Sequence, residues 1–209
     1  MAVNLKEELD GTLPIILLFL ARTNNHIVDI SPVEINDKGE IIKSSFADIK
    51  NTNHKKNLGA EIIFESSDTA PQKYLYYFSV DLFDGSLKKT TGFLNYVKNL
   101  GAVETYIKSA SYLMHKNYFS TIRSTILGQS KLILQDDSGI PFRFFDKTNW
   151  DITLYGKYNK PIELFEDWEQ KDLKKAYKDS STKPLNFGIG YNWQQGQSNM
   201  LIAKKKRKG

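Results

Sequence analysis

Residues 131–139 read KLILQDDSG, and the reading of this stretch decides the fold. Lys131–Gln135 is a short apolar run of the kind that suits a buried strand, and it leads straight into Asp136, Asp137, Ser138 and Gly139, which are turn formers. Upstream, Lys73–Leu82 (KYLYYFSVDL) is a second strand pattern that also runs into carboxylates, Asp81 and Asp84. Between the two, Val103, Tyr106, Ile107, Ala110, Leu113 and Met114 recur at i, i+3, i+4, i+7, i+10 and i+11, which predicts one face of an amphipathic helix. Phe119, Ile122, Ile126 and Leu127 repeat the pattern up to Gly128. A shorter helix is predicted over Thr91–Leu100, with Gly101 as its left-handed terminator. Strand, helices and strand over residues 73–135 are long enough for a crossover that lays the two strands parallel.

Working outward, Leu13–Ala21 (LPIILLFLA) reads as a strand covered on both faces. Ile27–Ile35 is interrupted by Pro32, which predicts an edge or bulged strand, and Asn36-Asp37-Lys38-Gly39 predicts a hairpin turn before Ile41 and Ile42. Residues 44–57 read as a polar surface loop with one helical turn around Phe46–Ile49, and Glu61–Glu65 as a further strand. In the last third, Phe142–Phe145 and Asp151–Tyr155 read as short strands and Glu166–Tyr177 as a helix whose end charges match the helix dipole. Leu185–Tyr191 and Met200–Ala203 are expected to pair as a closing hairpin across Asn192–Ser198. The expectation is an α/β protein: a single mixed β-sheet with packed helices, a helical crossover between central strands and a C-terminal β-hairpin. No interior linker or repeat divides the chain, so residues 1–203 are expected as one domain and residues 204–209 as a basic tail.

Ligands in open α/β sheets gather beyond the carboxyl ends of the strands. A parallel crossover would put Asp81 on the same sheet edge as Asp136 or Asp137. Such a cluster can work as an acid and base pair, and its oxygens suit a hard cation. The competing role for Asp84-Gly85 and Asp137-Ser138-Gly139 is turn formation through bonds to nearby amides. Of the three histidines, His26 opens a strand and His54 lies in the polar loop. His115 follows the predicted helix, with Ser111 one helical turn before it. The catalytic candidates are therefore Asp81, Asp137 and His115, and the ligand-binding candidates Asp84, Asp136, Ser138, Ser111, Trp150 and Tyr155. Tyr158 and Trp193 also fall in or beside loops, where exposed rings can stack on a ligand. No metal-ligand pattern, Walker loop, nucleophile elbow or dinucleotide loop occurs, and no cofactor is indicated.

The composition narrows the classes further. There is no cysteine among the 209 residues, which excludes disulfide frameworks, zinc-thiolate sites and cysteine nucleophiles. The net charge of +5 resides in Lys204, Lys205, Lys206, Arg207 and Lys208; the remaining 24 basic residues equal the 24 acidic ones. No specific nucleic-acid face is expected, and the tail is expected as a solvated extension able to make a weak contact with an anionic surface. Leu13–Ala21 is too short to span a bilayer, which takes about 20 apolar residues. It is preceded by acidic rather than basic residues, unlike a secretory leader. The localisation left open is cytoplasmic, or exported with the leader absent from this chain.

Ser109–His115 (SASYLMH), Leu132–Pro141 (LILQDDSGIP), Tyr155-Gly156-Lys157-Tyr158 with Pro161-Ile162, and Phe187–Tyr191 (FGIGY) together resemble a bacterial protein family of unknown function. The likeness runs from about Leu13 to Ala203. It brings no assigned chemistry. It implies that Met1 opens the C-terminal part of a longer protein and favours an exported or envelope-associated one. The functional expectation is a ligand-binding or interaction module with a carboxylate-lined cleft, taking a small polar ligand or a protein partner. The alternative is an acid/base enzyme, a hydrolase or transferase, acting on a small polar substrate.

Overall fold

Leu13, Ile16, Leu17 and Leu20 are spaced i, i+3, i+4 and i+7, and in the computed structural model they form the inner stripe of helix α1 (Thr12–Arg22), not the buried strand expected there. A continuous apolar run satisfies both periods, so its sequence alone does not separate them. The outer face of the helix, with Ile15, Leu18 and Phe19, remains exposed. The structure describes residues 12–45, 57–67, 69–193 and 196–206. His54 and the helical turn expected around Phe46–Ile49 lie outside the described residues.

The chain falls into two units, Met1–Asn99 and Leu100–Gly209. In the first, β1 (His26–Ile35), β2 (Ile41–Lys43), β3 (Asn57–Glu65) and β4 (Lys73–Phe78) form an antiparallel sheet of order β2-β1-β3-β4. Strand β1 is an inner strand, with the expected irregularity between Ile27 and Asp29. Pro32 is tolerated because its carbonyl, and hence its missing N–H, faces the β2 side beyond Lys43, where that short strand has ended. The β1–β2 hairpin forms as read: Asn36 Oδ1 accepts the amides of Lys38 (3.0 Å) and Glu40 (2.9 Å), and Gly39 takes φ 81°. Leu13 and Leu20 of α1 pack on Ala60 and Ile62 of β3. The short helices α2 (Asp84–Lys89) and α3 (Gly92–Asn99) follow β4, and Gly101 adopts the left-handed conformation after α3, at φ 67°.

The second unit contains β5 (Val103–Lys108), α4 (Ser120–Gln129), β6 (Ser130–Gln135), β7 (Trp150–Gly156), α5 (Lys171–Asp179) and β8 (Asn199–Lys205). Its sheet is mixed, of order β5-β6-β8-β7, with β5 and β6 parallel and the other pairs antiparallel. The α/β class holds, but the strands lie in two sheets, not in one. The helical crossover exists as well, though it carries β5 to β6 through α4 and does not involve β4.

Four further expectations are corrected here. The predicted helix Val103–Met114 is strand β5, a turn and a short 3-10 segment, Leu113–His115. Its β-branched Val103, Thr105 and Ile107 favour a strand, and Ala110 and Ser111, at φ 58° and 66°, cannot continue a right-handed helix. Phe142–Phe145 forms a 3-10 turn at Phe142–Phe144, and Glu166–Tyr177 splits into a 3-10 segment, Glu163–Trp168, followed by α5. The closing hairpin is absent: Leu185–Tyr191 is irregular, and β8 inserts between β6 and β7. Gly190 at φ 68° breaks the extended conformation that the alternation of Phe187, Ile189 and Tyr191 suggested.

The basic tail also begins later than expected. Lys204 and Lys205 are the last residues of β8, opposite Asp151 and Trp150. The Lys205 ammonium donates to the carbonyls of Leu127 (3.1 Å) and Gly128 (2.5 Å), and Lys206 lies 3.5 Å from the Asp151 carboxylate. Arg207 and Lys208 lie outside the described residues. Among the described residues no helix is long and apolar enough to cross a membrane.

Candidate functional site

The turn that follows β6 is held from inside. Gln135, 2% exposed, uses its side-chain amide as a strut: Oε1 accepts the Ile140 N–H (2.8 Å) and Nε2 donates to the Ile140 carbonyl (2.7 Å). This closes Asp136–Gly139 into a fixed loop. Asp136, Asp137 and Ser138 all lie on it, buried. Burying carboxylates without partners is expensive, so their bonding shows what each one does.

Asp137 is saturated. Its Oδ2 accepts the Tyr112 hydroxyl and its Oδ1 the Asn199 side-chain amide at 2.8 Å. Its main-chain carbonyl accepts Gln170 Nε2 (2.8 Å) and faces His115 Nε2 (3.2 Å). A carbonyl can only accept, so His115 carries its proton on Nε2. Gln170 in turn accepts the Phe142 N–H, and its own N–H donates to Tyr158 Oη. One residue, through its carboxylate and its main-chain carbonyl, thus ties β6, β8, the Tyr112–His115 turn and the start of α5 together. Burial raises the pKa of Asp137 and of Tyr112 and lowers that of His115 to about 4, so His115 is neutral near pH 7.

Asp136 is different. Its Oδ1 accepts both the N–H (3.1 Å) and the hydroxyl (2.6 Å) of Ser138, whereas Oδ2, fully buried, has no hydrogen-bond partner. Burial pushes its pKa up, against the bonds from Ser138 and the positive charge of Lys108. The Lys108 ammonium donates to the carbonyls of Ala110 and Ser111 and to the Ser111 hydroxyl, and so holds the two left-handed residues in place. The Ser111 N–H donates to Tyr191 Oη at 2.9 Å. Gly190 packs directly on the free Asp136 oxygen.

Three of the six ligand-binding candidates, Asp136, Ser138 and Ser111, belong to this network. Asp136 and Ser138 share one hydrogen-bonded turn, Ser111 lies beside Lys108, and Trp150 is 5% exposed with its ring edge-on to Phe145 at 5.7 Å. Tyr155, in β7, stacks under the Lys183 ammonium at 5.6 Å. Asp84 opens α2 in the first unit, and Asp81, exposed there, accepts the Phe83 N–H (3.0 Å) and the Ser86 hydroxyl (2.6 Å), a turn-forming arrangement. Strands β4 and β6 belong to different sheets, so the common sheet edge expected for Asp81 and Asp137 does not exist. Ser111 and His115 are not one helical turn apart, because the turn between them is not α-helical. Among the described residues no three His, Asp or Glu side chains are grouped to hold a metal ion.

The sequence reading missed Tyr112, Gln170, Asn199 and Lys108, and it placed Gly190 in a strand, as a bare position open to close packing. Three of them lie in or beside segments already singled out: Tyr112 in Ser109–His115, Gly190 in Phe187–Tyr191 and Lys108 just before Ser109. Those segments and Leu132–Pro141 converge on one network. Gln170 and Asn199 carry no local signal, since an amide's partners are set by whatever the fold places beside it.

Two cavities lie in the same unit, and the carboxylates of this network line neither of them. One, of about 610 Å³, lies between the Phe142–Lys147 turn, β7 and α5; Phe142, Phe145, Trp150, Leu154 and Ala176 supply its apolar surface. The other, of about 650 Å³, lies between residues 157–166 and 192–197 and is lined mainly by charged and amide side chains such as Lys160, Glu166 and Gln197.

The class that fold and site define is an α/β protein whose second unit holds a buried carboxylate network. An uncharacterized protein of Acanthamoeba polyphaga mimivirus is similar to it, 24% identical over 178 residues, which cover 74% of this chain and 29% of the viral protein. The chain thus spans less than a third of that relative's length. No family model matches the sequence, and no solved structure matches it.

Proposed function

We propose that the chain is a binding module whose ligand occupies the cavity between β7 and α5. The observation that carries this reading is the make-up of that cavity: an apolar floor that includes Trp150 and Leu154, a few polar groups around it, and a volume of about 610 Å³. Small-ligand sites combine these features, at roughly 300–1,000 Å³. The rim carries Arg143, Lys147 and Lys175 against Asp151, Asp172 and Asp179, a balance of charge that disfavours a polyanion. The neighbouring polar cavity lacks an apolar floor and offers less to exclude water.

The experiment is a thermal-shift screen against divalent metals, nucleotides, sugars, amino acids and cell-wall fragments, run on the wild type and on Ala176→Arg, which fills the cavity from α5. A ligand at a hundred times its dissociation constant adds about 2.7 kcal/mol and raises the melting midpoint by several degrees. A shift that Ala176→Arg removes supports the reading. Shifts of equal size in both proteins overturn it.

A second reading rests on the partnerless Asp136 Oδ2. A buried carboxyl whose pKa is raised by burial is suited to acid and base chemistry on a small polar substrate, in the manner of a hydrolase or transferase. In that case Asp136, rather than Asp137 or His115, is the working group. Asp136→Asn then abolishes turnover with the fold intact.

A further inference from the structure

Strand β7 is the edge of its sheet, and its outer edge is only half covered. The Gly156 N–H donates to the Lys183 carbonyl and the Lys183 N–H to the Leu154 carbonyl, both at 2.9 Å, so that Lys183 runs parallel beside Tyr155 as the beginning of a fifth strand. In a strand the main-chain groups of alternate residues face the same edge. Ile152, two residues before Leu154, therefore turns both its N–H and its C=O outward, as does Trp150, whose N–H is taken by the Asp146 carbonyl at 3.0 Å. The Trp150 C=O, the Ile152 N–H and C=O and the Leu154 N–H have no backbone partner among the described residues.

This open edge borders the cavity assigned above. Trp150, Ile152 and Leu154, whose side chains share one face of β7, line it together with their neighbour Asp151. Helix α5 forms the opposite wall through Asp172, Lys175, Ala176 and Asp179. A strand edge beside a helix, with an apolar floor between them, matches an extended chain in three respects. The alternating acceptors and donors match a peptide backbone, the floor takes every second side chain, and the three cations and three carboxylates of the rim match a peptide of mixed charge.

We infer that the ligand of this site is an extended peptide segment of a partner protein, which adds to the sheet as a strand alongside Trp150–Leu154. The inference rests on the reading of the cavity as the binding site and names its occupant. Affinity comes from the main-chain bonds to Trp150, Ile152 and Leu154, and selectivity from apolar side chains at alternate positions that reach the floor. An uncovered strand edge is otherwise a template for aggregation, which gives the fold a reason to pair it.

The test selects linear peptides from a randomised displayed library against the full chain and titrates synthetic copies while the backbone amides are followed by NMR. The expected result is peptides with apolar residues at every second position, whose binding protects the Ile152 amide from exchange. Methylation of alternate peptide nitrogens should weaken them tenfold or more. Ile152→Pro, which removes the open donor, should abolish binding; because that variant also strains the strand, Ala176→Arg serves as the second block, from the helix wall. Peptides indifferent to N-methylation, or a library that yields no binder, overturn strand addition. If small compounds still bind the wild type and not Ala176→Arg, the cavity reading stands without the peptide. If neither peptides nor compounds bind, both fall.

Discussion

The free carboxylate oxygen of Asp136 rests against the α-carbon of Gly190, so closely that a β-carbon at position 190 would overlap it. Gly190 also sits at φ 68°, where a side chain is strained. Gly190→Ala is therefore expected to destabilise the protein by about 2–4 kcal/mol, from left-handed strain and overpacking together. In an Asp136→Ala background the overlap is relieved and only the backbone strain remains. Denaturant titrations of the four proteins of this double-mutant cycle measure the coupling, and purely additive costs would disprove the contact.

Asp137 and Asp81 should respond unequally to the same substitution. In Asp137→Asn the new amide faces the donors of both Tyr112 and Asn199 and can accept only one, so about 1–3 kcal/mol is lost in urea unfolding. In Asp81→Asn the exposed side chain still accepts the Phe83 amide, and the loss stays below about 0.5 kcal/mol.

His115 makes the fold sensitive to acid. Burial, first of all, and the charges of Arg143, Lys108 and Arg123 bring its pKa from 6.5 to about 4, while the bond to the Asp137 carbonyl opposes the shift. The folded state prefers the neutral ring, so this contribution is complete above pH 6.5 and is lost as the pH falls from there toward 4. It amounts to about 3 kcal/mol. Asp136 and Asp137, raised by burial, act in the other sense: they prefer the proton in the fold and cost stability as the pH rises above the ordinary carboxylate range. His115→Gln isolates the first effect. The stability difference between wild type and variant should shrink between pH 6.5 and 4, and a constant difference would rule out the buried neutral ring.

The tryptophans divide by burial. Trp150→Ala empties a site that is 5% exposed and should cost about 3–5 kcal/mol, whereas Trp193, 68% exposed, should tolerate alanine within about 0.5 kcal/mol. Melting curves of the two variants decide it.

Shortening the C-terminus should show where the sheet ends. Stopping the chain after Lys206 leaves β8 whole, and stability should be unchanged. Stopping it after Ala203 removes the last two rungs of β8 with β7 and the bonds of Lys205 to Leu127 and Gly128, a loss of roughly 2–4 kcal/mol by thermal or urea unfolding.

Much of the local structure was legible. The Asn36–Gly39 hairpin, the helices at Gly92–Asn99 and Ser120–Gln129, strand β6 and the carboxylate turn after it all follow from turn chemistry, helix period and β-branched content. The failures occurred where one pattern fits two periods. LPIILLFLA fills a strand or a one-sided helix equally well, and the i, i+3, i+4 recurrence from Val103 to Met114 coincides with a strand followed by a turn. The site was half legible: Asp136, Asp137, Ser138 and His115 were named from local signals, but their partners Asn199 and Gln170 were not.

By itself the sequence determined the class, the absence of thiol chemistry, the neutrality of the chain ahead of its C-terminal cations and the turn that presents Asp136 and Asp137, because these depend on composition and on neighbours a few residues apart. Only the tertiary structure decided that the strands form two sheets, that β8 inserts between β6 and β7, and that Asp137 is saturated while Asp136 keeps one oxygen free. Those outcomes rest on contacts between residues as far apart as Asp137 and Asn199. Burial and hydrogen bonding at that separation depend on which surfaces the whole chain brings together, and no local pattern encodes them.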